Sequence, residues 1–421
     1  MRVAVEITEL DNGLRVVTEQ MDRVETVSIG AWVGVGARHE PADINGVSHL
    51  LEHMVFKGTK SRTARAIAEE IEAVGGHMNA YTSREHTAYY AKMLKQDLSL
   101  AMDVIGDLVQ HATLDPEELE RERHVVIQEI HQLHDTPDDV VFENFQAKAF
   151  PDQALGRSVL GSEDLIGAMS RDDVAGYMDA HYAAPVSIVS AAGALDHASV
   201  VDMAKRVFKD LPAGAPAVRE VARYAGGEIR TERDLEQVHI ALGFDGLAYD
   251  DDDYYAGAVL SALLGGGMSS RLFQEVREKR GLVYSIYSYQ SAYTDGGLFG
   301  VYAGTGEDEV DELMPIIADE LNKVRVAVDA EEIARARAQL KASILMSLES
   351  TSSRCEQMAR QMLVYGRPVP SQEIVEKIDA VTAEDVTRVA DRLFSSAPTL
   401  SAIGPLSRLE RGDAFAARLH A

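Results

Sequence analysis

Short stretches of alternating apolar and polar residues give way repeatedly to stretches of helical periodicity along this chain. Residues 1–18 (with VAVEITEL, then DNG, then LRVVTE) read as strand, turn and strand. Thr26–Val35 is a nearly unbroken apolar run of strand length and predicts a buried strand. Val47–Lys57 and Thr63–Val74 predict helices, and Gly75-Gly76 follows the second where a left-handed residue ends a helix. His77–Thr82 and Thr87–Leu94 alternate like a strand pair, and Asp97–His111 is helical. Asp115 and Pro116 stand as cap and first residue of a long helix reaching about His134. Strands mixed with helix pairs, without strict βα alternation, predict an α+β fold.

Much of this order returns later. Ser190–Leu195 (SAAGAL) and Ser401–Leu406 (SAIGPL) stand 211 residues apart, as do the strand-like runs Val27–Gly30 and Val238–Ala241. Asp173-Val174 and Asp385-Val386, each opening a helical stretch, stand 212 apart. Three matches in one order and within one residue of one register indicate a duplicated α+β unit of about 210 residues. The Pro/Ala/Gly stretch Leu211–Ala217 is the best linker, so the expected domains are 1–220 and 221–421.

Composition narrows the chemistry. The chain has 421 residues, 46% hydrophobic and 26% charged, as a globular protein with two sizeable cores would be. Its net charge of −27 repels phosphate and excludes nucleic acid as an expected partner. No apolar run is long enough to span a membrane, and the first residues lack the pattern of a leader, so the expectation is a cytoplasmic protein or a mature chain whose leader has been removed. Cys355 stands alone, which rules out a disulfide framework within the chain. A metal would have to be held by histidines and carboxylates.

His49-Leu-Leu-Glu52-His53 is the segment with chemistry in it. On a helix, His49 and His53 lie one turn apart on one face, and two imidazoles so placed can grip one tetrahedral ion. Glu52 borders that face and could accept a proton from water. The pattern alone fits a solvated helix face equally well. A zinc of this kind needs a third ligand and an open position. The helix after Asp115 offers Glu122 and Glu129, two turns apart. A charged helix face competes here too, but Glu129 lies within an apolar stretch, Val125–Ile130, where an unpartnered carboxylate is costly to bury.

The chain resembles the pitrilysin-like peptidases, particularly their processing-peptidase branch. The motifs are His49–His53, Asn79–Tyr90 (NAYTSREHTAYY), Glu120–Glu129 (ERERHVVIQE) and Ser270–Tyr284 (SRLFQEVREKRGLVY), in family order over nearly the whole chain. The resemblance implies a zinc endopeptidase with one Zn²⁺ per chain on His49, His53 and Glu129. Glu52 would be the base, and Glu122 would orient a ligand histidine. Two related α+β units would form a half-shell, and a second copy would close a chamber around the peptide. Asn79 and Ala80 would hold substrate as an added strand. Arg277 and Tyr284 would grip it from the second half, while Asp139 and Glu143 would read a basic residue near the cut; a solvated helix face is the competing reading of those two acids. The second half has Leu260–Leu264 where the metal motif would repeat and cannot bind the ion. The alternative is a non-catalytic scaffold or core subunit, a role usually accompanied by a broken metal motif.

Overall fold

A computed structural model describes residues 5–419, so residues 1–4 of the first expected strand lie outside the description. The chain forms two compact units. The first takes residues up to 131, then 157–220 and 346–369; the second takes 132–156, 221–345 and 370–421.

The first unit is built on six strands: β1 (Glu6–Glu9), β2 (Arg15–Gln20), β3 (Thr26–Val33), β4 (His77–Thr82), β5 (Thr87–Leu94) and β6 (Ser187–Gly193), in the order β1-β2-β6-β3-β5-β4. β2 and β6 run parallel; the other neighbours are antiparallel. β3 reads as one apolar run because both its faces are covered. Val27, Ile29, Ala31 and Val33 join the large core that includes helices Val47–Val55 and Leu98–His111. Trp32 points the other way, against Cys355, Met358, Ala359 and Met362 of helix Thr351–Tyr365.

The second unit repeats the plan with β7 (Gly227–Glu232), β8 (Val238–Asp245), β9 (Val283–Tyr293), β10 (Gly296–Thr305) and β11 (Thr399–Gly404), in the order β7-β11-β8-β10-β9. Position by position this is β2-β6-β3-β5-β4 again, with the same parallel pair. The repeated glycines have a stated cause. Gly193 and Gly404 both adopt φ +131°, and a Cβ would lie 2.3 Å from the Thr26 carbonyl oxygen in one and 2.4 Å from that of Gln237 in the other. Each half also opens a helix with a reciprocal cap, Ser170 with Asp173 and Thr382 with Asp385.

The units differ from two contiguous halves in one respect. One of the passages from the first unit to the second falls at Glu220/Val221, inside a stretch without regular structure from 211 to 226. Yet helix Pro137–Ala149, from the first half of the sequence, lays Val140, Val141, Phe145 and Ala149 on the second sheet beside Ala241, Leu298 and Ile403. Helix Thr351–Tyr365, from the second half, covers the first sheet. An amphipathic pattern marks which face of a helix is apolar but not which sheet receives it. Among the described residues, no helix is long and apolar enough to cross a membrane.

Candidate metal centre

Helix Val47–Val55 starts at Gly46, whose φ of +98° lets the chain turn into it. The buried Glu40 carboxylate caps this end, accepting from the Gly46 and Ser48 amides at 2.8 Å each and from Asn45 Nδ2 at 2.7 Å. Negative charge there also meets the positive end of the helix dipole. Leu50, Leu51, Met54 and Val55 are fully buried, which turns His49, Glu52 and His53 together away from the core.

The partner helix is Pro116–Asp135, capped by Asp115 Oδ1, which accepts from the Glu117 and Glu118 amides at 2.8 and 3.2 Å. It brings Glu129 Oε2 to 3.5 Å from His49 Nε2 and 3.6 Å from His53 Nε2. The ligand atoms of these three residues all lie within 4.8 Å of one another, and among the described residues no other group of His, Cys, Asp or Glu does this. Those separations suit an ion. Ligand atoms held about 2.0–2.2 Å from a tetrahedral zinc stand about 3.3–3.6 Å apart.

Glu122 sits behind His53. Its Oε2 is 3.0 Å from His53 Nδ1, and its Oε1 is 2.8 Å from Lys57 Nζ. Accepting the Nδ1 proton leaves the His53 Nε2 lone pair directed at Glu129. Burial opposes ionisation of Glu122, but the bonds to His53 and Lys57 outweigh it and lower its pKa. Burial, then the nearness of His53, pulls His49 down to about 4, so its ring is neutral and able to ligate at neutral pH. For His53, burial is outweighed by the bond to Glu122 and the charges of Glu129, Glu122 and Glu52, which raise it. His49 Nδ1 is buried with no hydrogen-bond partner, and nothing among the described residues accounts for it.

Glu52 lies next to this group with a pKa raised by burial and partly restored by Thr82. The Thr82 hydroxyl, at the end of β4, donates to Glu52 Oε2 at 2.6 Å. Thr82 lay within the strand segment that the sequence marked, but its role was not read there. Its signal was periodicity: Met78, Ala80 and Thr82 share one face of β4, and Met78 and Ala80 pack on the core.

The structure corrects one expectation. Glu129, predicted from its apolar neighbours to be the costly buried carboxylate, has a side chain 38% exposed, while that of Glu122 is 6% exposed. The buried face of the helix is Leu119, Glu122, Val126 and Ile130, and Glu129 flanks it.

Asn79 and Ala80 lie on β4, an edge strand paired on one side only, with β5. In the second unit Leu260, Leu263 and Leu264 are buried in helix Tyr254–Gly265, a counterpart to the histidine helix with no His, Asp or Glu in it. Arg277 sits on a π-helical turn, Phe273–Glu278, a geometry found often at functional positions. Its guanidinium lies 4.8 Å from the Phe273 ring centre and 5.8 Å from that of Tyr284, which is 78% exposed on β9. Arg271 and Arg280 are engaged by Glu332 and Glu275. Asp139 and Glu143 lie one turn apart on helix Pro137–Ala149; burial and the charges of Asp138 and Glu143 raise the Asp139 pKa.

Residues 15–163 match the family model described as insulinase (peptidase family M16), and residues 168–340 match the peptidase M16 inactive domain. The chain is 38% identical over 406 residues to an uncharacterized zinc protease of Rickettsia felis, covering 96% of this chain and 98% of that one. It is 36% identical over 422 residues to the human mitochondrial-processing peptidase subunit beta, covering 96% and 85%. In fold it is similar to a protease from Helicobacter pylori (TM-score 0.89, 24% identity, 96% of this chain and all of that one). It is similar again to a chain of complex III2 from Candida albicans (TM-score 0.88, 22% identity, 99% and 100%).

Proposed function

The chain belongs to the M16 (insulinase, pitrilysin-like) peptidase family, on its processing-peptidase-like side, and from that premise we propose that it is a zinc-dependent endopeptidase of peptides and short unfolded segments. The observation that carries this is the convergence of His49, His53 and Glu129 on one point, with Glu52 alongside. A non-catalytic core subunit would have no need of all four.

His49, His53 and Glu129 hold one Zn²⁺ per chain in this reading, and Glu122 keeps His53 in the ligating tautomer. Zinc bound there supplies a Lewis acid that polarises the scissile carbonyl and acidifies water. Glu52 takes a proton from the attacking water and returns it to the leaving amide nitrogen. The free edge of β4 receives the peptide as an added strand, with Asn79 and Ala80 beside it, because backbone pairing is indifferent to side chains. Asp139 and Glu143 favour a basic residue near the cut.

The test is zinc analysis with hydrolysis of quenched peptides carrying an arginine near the cleaved bond. A chelator should abolish cleavage and zinc should restore it; a zinc-loaded protein that cleaves no peptide sinks the proposal. The active form is taken to hold two copies of the chain, and sedimentation should show a dimer. Full activity from a strict monomer would remove that part.

Arg277 and Tyr284 are assigned to the substrate, as the family resemblance implies. A tyrosine hydroxyl that steadies a developing oxyanion is worth about 10²–10³ in rate. Tyr284→Phe should therefore lower kcat by about that factor with zinc unchanged. Arg277→Ala should alter both kcat and KM, since an arginine can hold a carbonyl in the ground state too. An unchanged kcat in folded, zinc-loaded Tyr284→Phe would leave the second unit as framework only.

A further inference from the structure

Thr82 makes a contact that the reading above does not need and that a core threonine would not require. Its hydroxyl has one proton and two nearby acceptors, Glu52 Oε2 at 2.6 Å and the Ser48 carbonyl oxygen at 3.5 Å. The shorter one, to a carboxylate, has the length of a charge-assisted bond and takes the proton. That ties one oxygen of Glu52. The Thr82 hydroxyl is the one side-chain donor to Glu52 among the described residues; the Thr82 backbone amide also acts on the carboxylate, and a substitution of the side chain leaves that contact in place.

Thr82 itself is firmly placed. It pairs with Thr87 of β5, whose hydroxyl donates to the Val35 carbonyl oxygen at 3.0 Å from a fully buried position. Its neighbour Tyr81 faces the other way, where the phenol oxygen lies 3.1 Å from His86 Nε2 and accepts from Trp32 Nε1 at 3.3 Å. The strand end is thus anchored on both faces, and the Thr82 side chain has little freedom to leave Glu52.

We propose that Thr82 is a positioning residue: it holds Glu52 Oε2 so that Oε1 alone is presented to the attacking water, and it does so from the strand whose edge receives the peptide. The inference rests on the peptidase reading. Its chemistry is that of a carboxylate with two equivalent oxygens and a free side-chain torsion. Tied at one oxygen, the carboxylate keeps one orientation, and a misplacement of about 1 Å at such a group costs about 10²-fold in rate. Because Asn79, Ala80 and Thr82 share β4, the edge that would receive the peptide and the residue that holds the base are parts of one anchored strand.

Thr82→Val keeps the shape and removes the donor; Thr82→Ser restores it. Both are to be assayed on zinc-loaded protein beside wild type and Glu52→Gln. Thr82→Val should lose about 10–100-fold in kcat, with KM, zinc content and melting temperature near wild type, and Thr82→Ser should recover most of the loss. A merely structural threonine would move melting temperature and KM with kcat and would not be rescued through the hydroxyl. If wild type cleaves, Glu52→Gln does not, and Thr82→Val keeps wild-type kcat, this inference alone is overturned. The same holds if Thr82→Ser is as impaired as Thr82→Val. If wild type cleaves nothing, the peptidase reading falls and takes this inference with it.

Discussion

Glu52→Gln is expected to lose about 10²–10⁴-fold in turnover while binding zinc as tightly as wild type. Glutamine has nearly the same shape, and its carbonyl oxygen can still accept the Thr82 hydroxyl, so the local packing has no reason to change. What it cannot do is take a proton. His49, His53 and Glu129 remain in place, so metal analysis and melting temperature should match wild type. Stopped hydrolysis with full zinc occupancy identifies Glu52 as the base. Near-normal turnover would assign the proton transfer to another group.

His49→Ala, His53→Ala and Glu129→Ala should each fail to retain zinc through dialysis, because each leaves two protein ligands where three are needed. The loss has a thermodynamic signature independent of activity. Zinc present at about 1,000 times its dissociation constant stabilises the folded chain by about 4.1 kcal/mol, seen as a rise in melting temperature. The three variants should lose most of that rise. Glu122→Gln should keep part of it, with affinity weakened about 10–100-fold, because it touches the ion only through His53 Nδ1. Equal loss in all four would erase the distinction between holding the metal and orienting a ligand. A His49→Ala protein with wild-type affinity would contradict the assignment outright.

The sequence carried the strands and helices that position this site because its local signals agreed with the tertiary environment. The capped start at Asp115-Pro116, the alternation of β4 and β5 and the buried run of β3 each have one dominant physical cause. The duplication was legible because Gly193 and Gly404 answer the same steric demand, and so was the pairing of His49 with His53, which is helix geometry. Which carboxylate lies buried was not legible. Apolar neighbours in sequence surround Glu129, but the helix rotates Glu122 inward, and only the packing partners set that angle. Thr82 was missed because its partner stands 30 positions away on another element. The exchange of helices Pro137–Ala149 and Thr351–Tyr365 was invisible for a similar reason, since the apolar residues of neither helix specify which sheet receives them.

That exchange sets a timetable for synthesis. The first sheet has its last strand, β6, once residue 193 has been made, yet the helix over Trp32, Ala88 and Ile188 ends at Tyr365. A ribosome adding about 5–20 residues per second needs on the order of ten seconds for the interval. For that time the nascent chain carries a complete first sheet with one apolar face, that of Trp32, Ala88 and Ile188, open to water. The second half of the sequence thus serves the first as a late-arriving cover for its core, through helix Thr351–Tyr365.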